Sequence, residues 1–202
     1  MQEMMLARAK ALLQSGDVQR VLGWQTGEFA YDVTPAAFET AEELDAKFVY
    51  NDFCGSNLSK YLVKESRKEG RVLVFLKPCD TYSFNQLIKE HRIVRENIYV
   101  IGVPCAGKTD GETLKGLGLK GILGVKDAGD SFTVETLYGE KTVSKQEALP
   151  ERCRSCKSHK HMVYDELLGE EGEVLDSHRF DMVEKIESMS ADERFAFWQG
   201  EL

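Results

Sequence analysis

Two uninterrupted apolar runs, RVLVFL at 71–76 and NIYVIGV at 97–103, flank the segment DTYSFNQLIKEH, whose apolar residues recur at helical spacing. Short apolar runs without alternation suit strands covered on both faces. Strand, helix and strand joined by short connections make a βαβ unit with its two strands parallel. A parallel pair needs helices on its faces, so the expected class is α/β, with a parallel βαβ core. At 202 residues the chain has the size of one such domain, read as 1–202. Within it we distinguish residues 1–70 as an N-terminal region, 71–161 as the βαβ core and 162–202 as a C-terminal helical segment.

Each apolar run leads into a Pro-Cys pair, Pro78-Cys79 and Pro104-Cys105. In parallel sheets ligands collect beyond the carboxyl ends of the strands. Proline fixes φ and stops the strand, so the thiols of Cys79 and Cys105 are expected to face one site. A third proline, Pro150, precedes the pair Cys153 and Cys156 in PERCRSC. The C-x2-C spacing lets two sulfurs converge on one metal or cluster. The four cysteines together are read as one metal-binding set. A lone cysteine is ordinarily a small buried hydrophobe, and that reading or a position beside a cofactor is kept for Cys54, in NDFCGSN, with a ligand or reactive thiol at a helix N-terminus as its alternative.

Zinc and iron–sulfur clusters both accept four thiolates. Two single cysteines at strand ends form a wider frame than paired zinc knuckles, which favours a cluster. The basic stretch RCRSCKSHKH would offset thiolate charge, with His159 and His161 read as solvated. A low-pKa thiolate acting as a nucleophile is a third reading.

The remaining signals are coarser. A helix is expected over about residues 2 to 14, extended segments over Val18 to Trp24 and Glu28 to Val33, and a short helix at AEELDA. GSNLSKYLVKESRKEG reads as a helix ended by Gly70, with Ser56 as its cap, and the helix after Cys79 reads as capped by Asp80. SFTVETL and EKTVS suggest a hairpin around Tyr138-Gly139-Glu140. The Gly- and Lys-rich stretch 106–121 reads as a surface loop, with Lys108, Lys115 and Lys120 as candidate phosphate contacts. DELLGEEGEVLD reads as a solvated face. The last twenty-odd residues have helical periodicity, with Phe195, Phe197 and Trp198 available to the chain's own core or to a partner.

Acids outnumber bases 34 to 26, giving a net charge of −8. A nucleic-acid surface needs concentrated Lys and Arg, so no nucleic-acid partner is expected. No segment has the apolar length of a membrane span, and MQEMMLARAKALLQSGD lacks a signal peptide's apolar middle. The expected location is cytoplasmic. Five cysteines in a reducing compartment, an odd number, argue against a disulfide framework. No GxGxxG follows a strand, so the residues themselves show no dinucleotide fingerprint.

The motifs KPCD, IGVPCAG and PERCRSC followed by YDELLGE resemble, in order and spacing, the coenzyme F420 (deazaflavin) hydrogenase/dehydrogenase β-subunit family. The likeness is greatest to formate dehydrogenase β subunits and the heterodisulfide-reductase-associated branch, and it runs from VLGW through FWQGEL. It implies one 4Fe–4S cluster, FAD, and electron relay between a donor subunit or ferredoxin and an acceptor in a multi-subunit oxidoreductase. Carried over by position, Cys79, Cys105, Cys153 and Cys156 hold the cluster. Asn51, Asn57, Lys60, Lys77 and Asp80 lie in motifs near the expected flavin. A deazaflavin or a nicotinamide is a further candidate partner. Members of the branch commonly continue into a ferredoxin-type segment rich in C-x2-C, which this chain lacks, so further clusters are expected on another subunit or in a continuation of the chain. The alternative from another class is a zinc-stabilised scaffold or adaptor of a redox complex.

Overall fold

A computed structural model describes residues 1–29, 31–174 and 180–201. Helix α1 (Gln2–Ser15) buries Met5, Ala9 and Leu12, and ends at Gly16, whose φ of 78° is the left-handed cap that glycine adopts without a Cβ clash. Strand β1 (Arg20–Thr26) follows, and then β2 (Val33–Phe38). Of the expected extended segment at 28–33, Val33 begins β2 and the other described residues lie outside the strands, where the Gly27 N–H donates to the Asp32 carbonyl. The second strand therefore starts where that segment was read to end. Helix α2 (Ala41–Lys47) is capped by the Thr40 side chain, which accepts from the Glu43 N–H.

The helix expected after Gly55 is reduced to a 3₁₀ turn (Ser59–Tyr61) running into α3 (Leu62–Glu65). Leu58, not Ser56, is its N-cap residue, and the Asn57 side chain just before it accepts from the Ser59 N–H at 2.9 Å. The βαβ unit then stands as read: β3 (Val72–Leu76), α4 (Pro78–Lys89) and β4 (Ile98–Gly102), with β3 and β4 parallel in register from Val72↔Ile98 to Leu76↔Gly102. All five β3 residues are buried, each such side chain contributing roughly 1.5–3 kcal/mol. Helix α4 begins earlier than expected. Pro78 occupies its first turn, Lys77 is the N-cap residue, and the Asp80 carboxylate accepts from the Lys77 N–H three residues back.

The stretch read as a surface loop contains α5 (Gly111–Gly116), capped by the Asp110 carboxylate, and buries Lys108 and Thr109. Beyond it β5 (Ile122–Asp127), β6 (Ser131–Thr136) and β7 (Gly139–Ser144) form a three-stranded antiparallel sheet, of which only the β6–β7 hairpin is legible as alternation. Its turn is Leu137-Tyr138, between the paired Thr136 and Gly139. Phe53, Leu114, Leu119, Phe132, Val134 and Ala148 make a small second core under this sheet.

Helix α6 (Glu151–Arg154) is a single turn that starts after Pro150. The acid-rich stretch read as solvated instead supplies β8 (Glu166–Leu167), which pairs parallel with β4 and completes a five-stranded sheet of order β2-β1-β3-β4-β8. Arg8 pairs with Glu166 at 2.8 Å and Arg95 with Asp165 at 2.6 Å, which offsets placing two carboxylates at a sheet edge. The last two residues of that stretch, Leu175 and Asp176, lie outside the described residues. Helices α7 (Asp181–Ser188) and α8 (Ala191–Glu201) follow, with no residue of either buried, so Phe195 and Trp198 do not join the chain's own core. The architecture is α/β, a mostly parallel sheet with flanking helices and an additional antiparallel sheet. Among the described residues no helix is long and apolar enough to cross a membrane.

Candidate functional site

Strands β3 and β4 end side by side, and a cavity of about 370 Å³ opens beyond them. Cys79, Cys105, Cys153 and Cys156 all line it. The local reasons differ for each. Leu76 is the last residue of β3, Lys77 turns the chain, and Pro78 starts α4, so Cys79 sits in the first helical turn. Cys105 follows Pro104 in the loop after β4. Cys153 and Cys156 lie on α6 and the bend after it, where the Cys153 N–H donates to the Pro150 carbonyl and the Cys156 N–H to the Cys153 carbonyl. Proline thus starts two of the three turns that present a thiol. The four side chains line a common wall rather than meeting at a point. Among the described residues no group of three or more Cys, His, Asp or Glu side chains is drawn together as metal ligands.

Burial pushes the Cys79 thiol up to about 12, with the Asp80 carboxylate adding to the effect, although the side chain is open on its cavity side. Burial also raises Cys105, against the opposing influence of the Gly107 N–H and Lys108. As thiols, these two groups are poor nucleophiles at neutral pH.

Two ammonium groups are buried in the same wall. Lys77 Nζ is 2.8 Å from Asp80 Oδ2, donates to the Ser56 carbonyl at 3.0 Å, and lies 4.7 Å from the centre of a Trp24 ring. Lys108 Nζ donates to the Asn51 carbonyl at 2.9 Å and lies 4.1 Å from the Tyr50 ring centre, and burial lowers its pKa. A carbonyl and an aromatic face leave a buried cation under-compensated. Arg152 adds a third positive charge, held by Asp110 at 2.8 Å. The site suits an anionic occupant.

The residues expected near a flavin divide into two groups. Asn57, Lys77 and Asp80 are on the cavity wall. Asn51 stands behind it, its carbonyl holding Lys108 and its side chain accepting from the Phe53 N–H. Lys60 lies elsewhere, over the Tyr61 ring in a groove formed with Leu22 and Pro35–Ala37. A second cleft, of about 360 Å³, is lined by Tyr31, Phe53, Thr109 and Asp110 and shares Gly55 and Arg152 with the first. The Thr109 hydroxyl is buried there without a hydrogen-bond partner.

Cys54 is fully buried in the main core, where its sulfur accepts from the Asn51 N–H at 3.3 Å. His161, read as solvated, is the residue that sequence reasoning missed. Its side chain is wholly buried, with ring nitrogens near the Glu171 carboxylate and the carbonyls that end β3 and β4. His159 lines the cavity.

No protein-family model matches the chain. Over 104 residues, 52% of this chain and 27% of the relative, it is 30% identical to the β subunit of F420-dependent formate dehydrogenase 1 of Methanococcus maripaludis. Over 98 residues, 48% of this chain and 26% of the relative, it is 31% identical to the corresponding β subunit of Methanocaldococcus jannaschii. The expected resemblance is present. The matched segment spans about a quarter of the length of these F420-dependent β subunits. In structure the chain is similar to a chain of the F420-reducing [NiFe] hydrogenase complex of Methanosarcina barkeri, with a TM-score of 0.61 and 16% identity, covering 80% of this chain and 61% of that one. This second likeness is one of fold.

Proposed function

We propose that the chain is an electron-transfer subunit of a multi-subunit oxidoreductase, carrying one 4Fe–4S cluster on Cys79, Cys105, Cys153 and Cys156, and FAD. The observation that carries the reading is the convergence of four cysteines, from three separated segments, on one cavity at the ends of parallel strands. The buried Lys108 in the same wall supports it, because four thiolates around a cluster bring net negative charge that this ammonium offsets, Lys77 being already paired with Asp80. The relatives named as F420-dependent formate dehydrogenase β subunits support the redox complex as its setting.

The cluster would supply one-electron exchange and the flavin the conversion between one- and two-electron steps. The protein's role is position and potential. The strand ends fix Cys79 and Cys105, burial raises the pKa of both, and α6 brings the C-x2-C pair to the same cavity. For the flavin, Asn57, Lys77 and Asp80 supply polar contacts on one wall. The shared cleft adds Arg152 for a diphosphate and the unpartnered Thr109 hydroxyl for a further hydrogen bond. Donor and acceptor are proposed to be other subunits or a ferredoxin, with a deazaflavin or nicotinamide as the two-electron partner.

Anaerobic reconstitution of the full chain with iron and sulfide, then with FAD, tests this reading. A broad charge-transfer absorption that each of the four single Cys→Ser substitutions removes or weakens, and a flavin spectrum retained through gel filtration, are expected. A colourless protein holding stoichiometric zinc would instead mark a structural scaffold, and absence of flavin binding with an intact cluster would remove FAD.

A further inference from the structure

We propose that His161 is a positioning residue for the four-cysteine site, pinning the segment after the C-x2-C pair to the ends of the two strands that carry Cys79 and Cys105. The inference takes the four-cysteine site proposed above as its object, but not the identity of the metal.

The geometry is specific. His161 Nε2 lies 3.2 Å from the Leu76 carbonyl oxygen and 3.2 Å from the Val103 carbonyl oxygen. Leu76 stands three residues before Cys79, and Val103 two before Cys105. One imidazole edge therefore spans both strand ends at the point where each chain turns toward its thiol. Leu76 and Val103 are also joined directly, the Val103 N–H donating to the Leu76 carbonyl at 2.9 Å. On the other side of the ring Nδ1 is 2.8 Å from Glu171 Oε1, which also accepts from the His161 backbone N–H. Three acceptors, one carboxylate and two carbonyls, thus face the two ring nitrogens.

The neighbouring contacts bind the same segment. The Met162 N–H donates to the Thr81 hydroxyl, which donates in turn to the Pro78 carbonyl at the start of α4. The His159 N–H donates to the Glu173 carbonyl, closing the loop that carries Glu171. Gly102, the last residue of β4, lies beneath the ring, and a Cβ there would be 3.2 Å from it. The short chain from Cys156 to His161 thus has its far end fixed at a place set by β3 and β4. That anchor acts beside α6, the Arg152–Asp110 pair and the Lys157 ammonium over the Tyr82 ring in setting the distance of the C-x2-C pair from the other two thiols, and it is the contact that reaches both strand ends. Outer partners of this kind orient ligands without touching a metal.

The test uses the reduced, metal-free full chain, so it does not depend on which metal the site takes. A short bismaleimide is added at alkaline pH and left until the weakly nucleophilic Cys79 and Cys105 thiols have reacted, and the cross-linked cysteine pairs are quantified by peptide mass spectrometry. In the unsubstituted protein, links from Cys153 or Cys156 to Cys79 or Cys105 are expected to be abundant. His161→Ala should reduce them several-fold in favour of the Cys153–Cys156 link, and His161→Gln, which keeps a donor toward the strand carbonyls, should recover some of the loss. Glu171→Gln, a change near the surface, should shift the partition in the same direction by less, and decides the matter if neither His161 variant folds. Val18→Ala, a core truncation outside the cavity wall, should lower stability and leave the partition unchanged. In reconstituted protein, His161→Ala should weaken metal retention against a chelator by roughly 10–100-fold. Unchanged partition in the folded His161 variants, or in Glu171→Gln where those do not fold, overturns the proposal. A shifted partition in a protein that never takes up iron and sulfide would sustain the anchor and remove the cluster.

Discussion

Lys77 Nζ and Asp80 Oδ2 are 2.8 Å apart with both side chains only 2% exposed, so a buried ion pair closes the helical turn that carries Cys79. Removing one member of such a pair leaves the other charged and buried. Lys77→Met is therefore expected to lower the free energy of unfolding by about 3–5 kcal/mol, measured by urea denaturation of the metal-free chain. The double variant Lys77→Met/Asp80→Asn should lose less than the two single variants combined. Simple additivity would show that the pair does not act as a unit.

Two carboxylates predict the acid limb of stability. Burial raises Glu171, but the backbone and ring N–H groups of His161 outweigh it and hold the carboxyl below its ordinary value. For Asp110 burial is likewise outweighed, by the Thr113 hydroxyl and N–H and by Arg152. A carboxyl depressed in the folded state stabilises it above the unfolded pKa, and that contribution disappears as pH falls through the folded value. Melting temperature should thus decline below about pH 4, where free carboxylates titrate. Glu171→Gln and Asp110→Asn should each flatten the decline. Equal slopes in all three proteins would contradict the assignment.

The βαβ unit was legible because Val72–Leu76 and Ile98–Gly102 are buried on both faces and need no partner information to read as strands. Strand β2 was misplaced because Pro35, Ala36 and Ala37 carry little strand propensity, and pairing with β1 overrides it. The two residues of β8 lie in an acid-rich stretch and become a strand only through β4, Arg8 and Arg95, all distant in sequence. That the four thiols share one cavity was legible because Pro-Cys at a strand end and C-x2-C are local signals. His161 was not. Its burial depends on Glu171 and on carbonyls of Leu76 and Val103, none of which marks the sequence KSHKH as anything but solvated.

Gly102 tests how tightly the ring is packed. A Cβ at this position would lie 3.0 Å from the Leu167 side chain and 3.2 Å from the His161 ring. The pinned ring cannot retreat without losing its carbonyl contacts. Gly102→Ala is expected to destabilise the chain by about 1–3 kcal/mol in thermal or urea unfolding. A neutral result would mean that the ring moves freely.

Cys54 separates burial from ligation. It is fully buried in the main core and absent from the cavity wall. Cys54→Ser should cost only about 1 kcal/mol, because the hydroxyl meets the Asn51 N–H and the Val49 carbonyl that the sulfur meets, and should keep the metal content and visible spectrum of the unsubstituted chain. Loss of metal in this variant, with full retention in Cys79→Ser, would reassign the ligand set.

The cavity beyond β3 and β4 is proposed to hold one iron–sulfur cluster. Iron, acid-labile sulfide and zinc should be measured together on the full chain purified without oxygen. About four iron and four sulfide per chain, with negligible zinc, are expected for a single cluster of this kind. One zinc per chain with no labile sulfide would contradict the account.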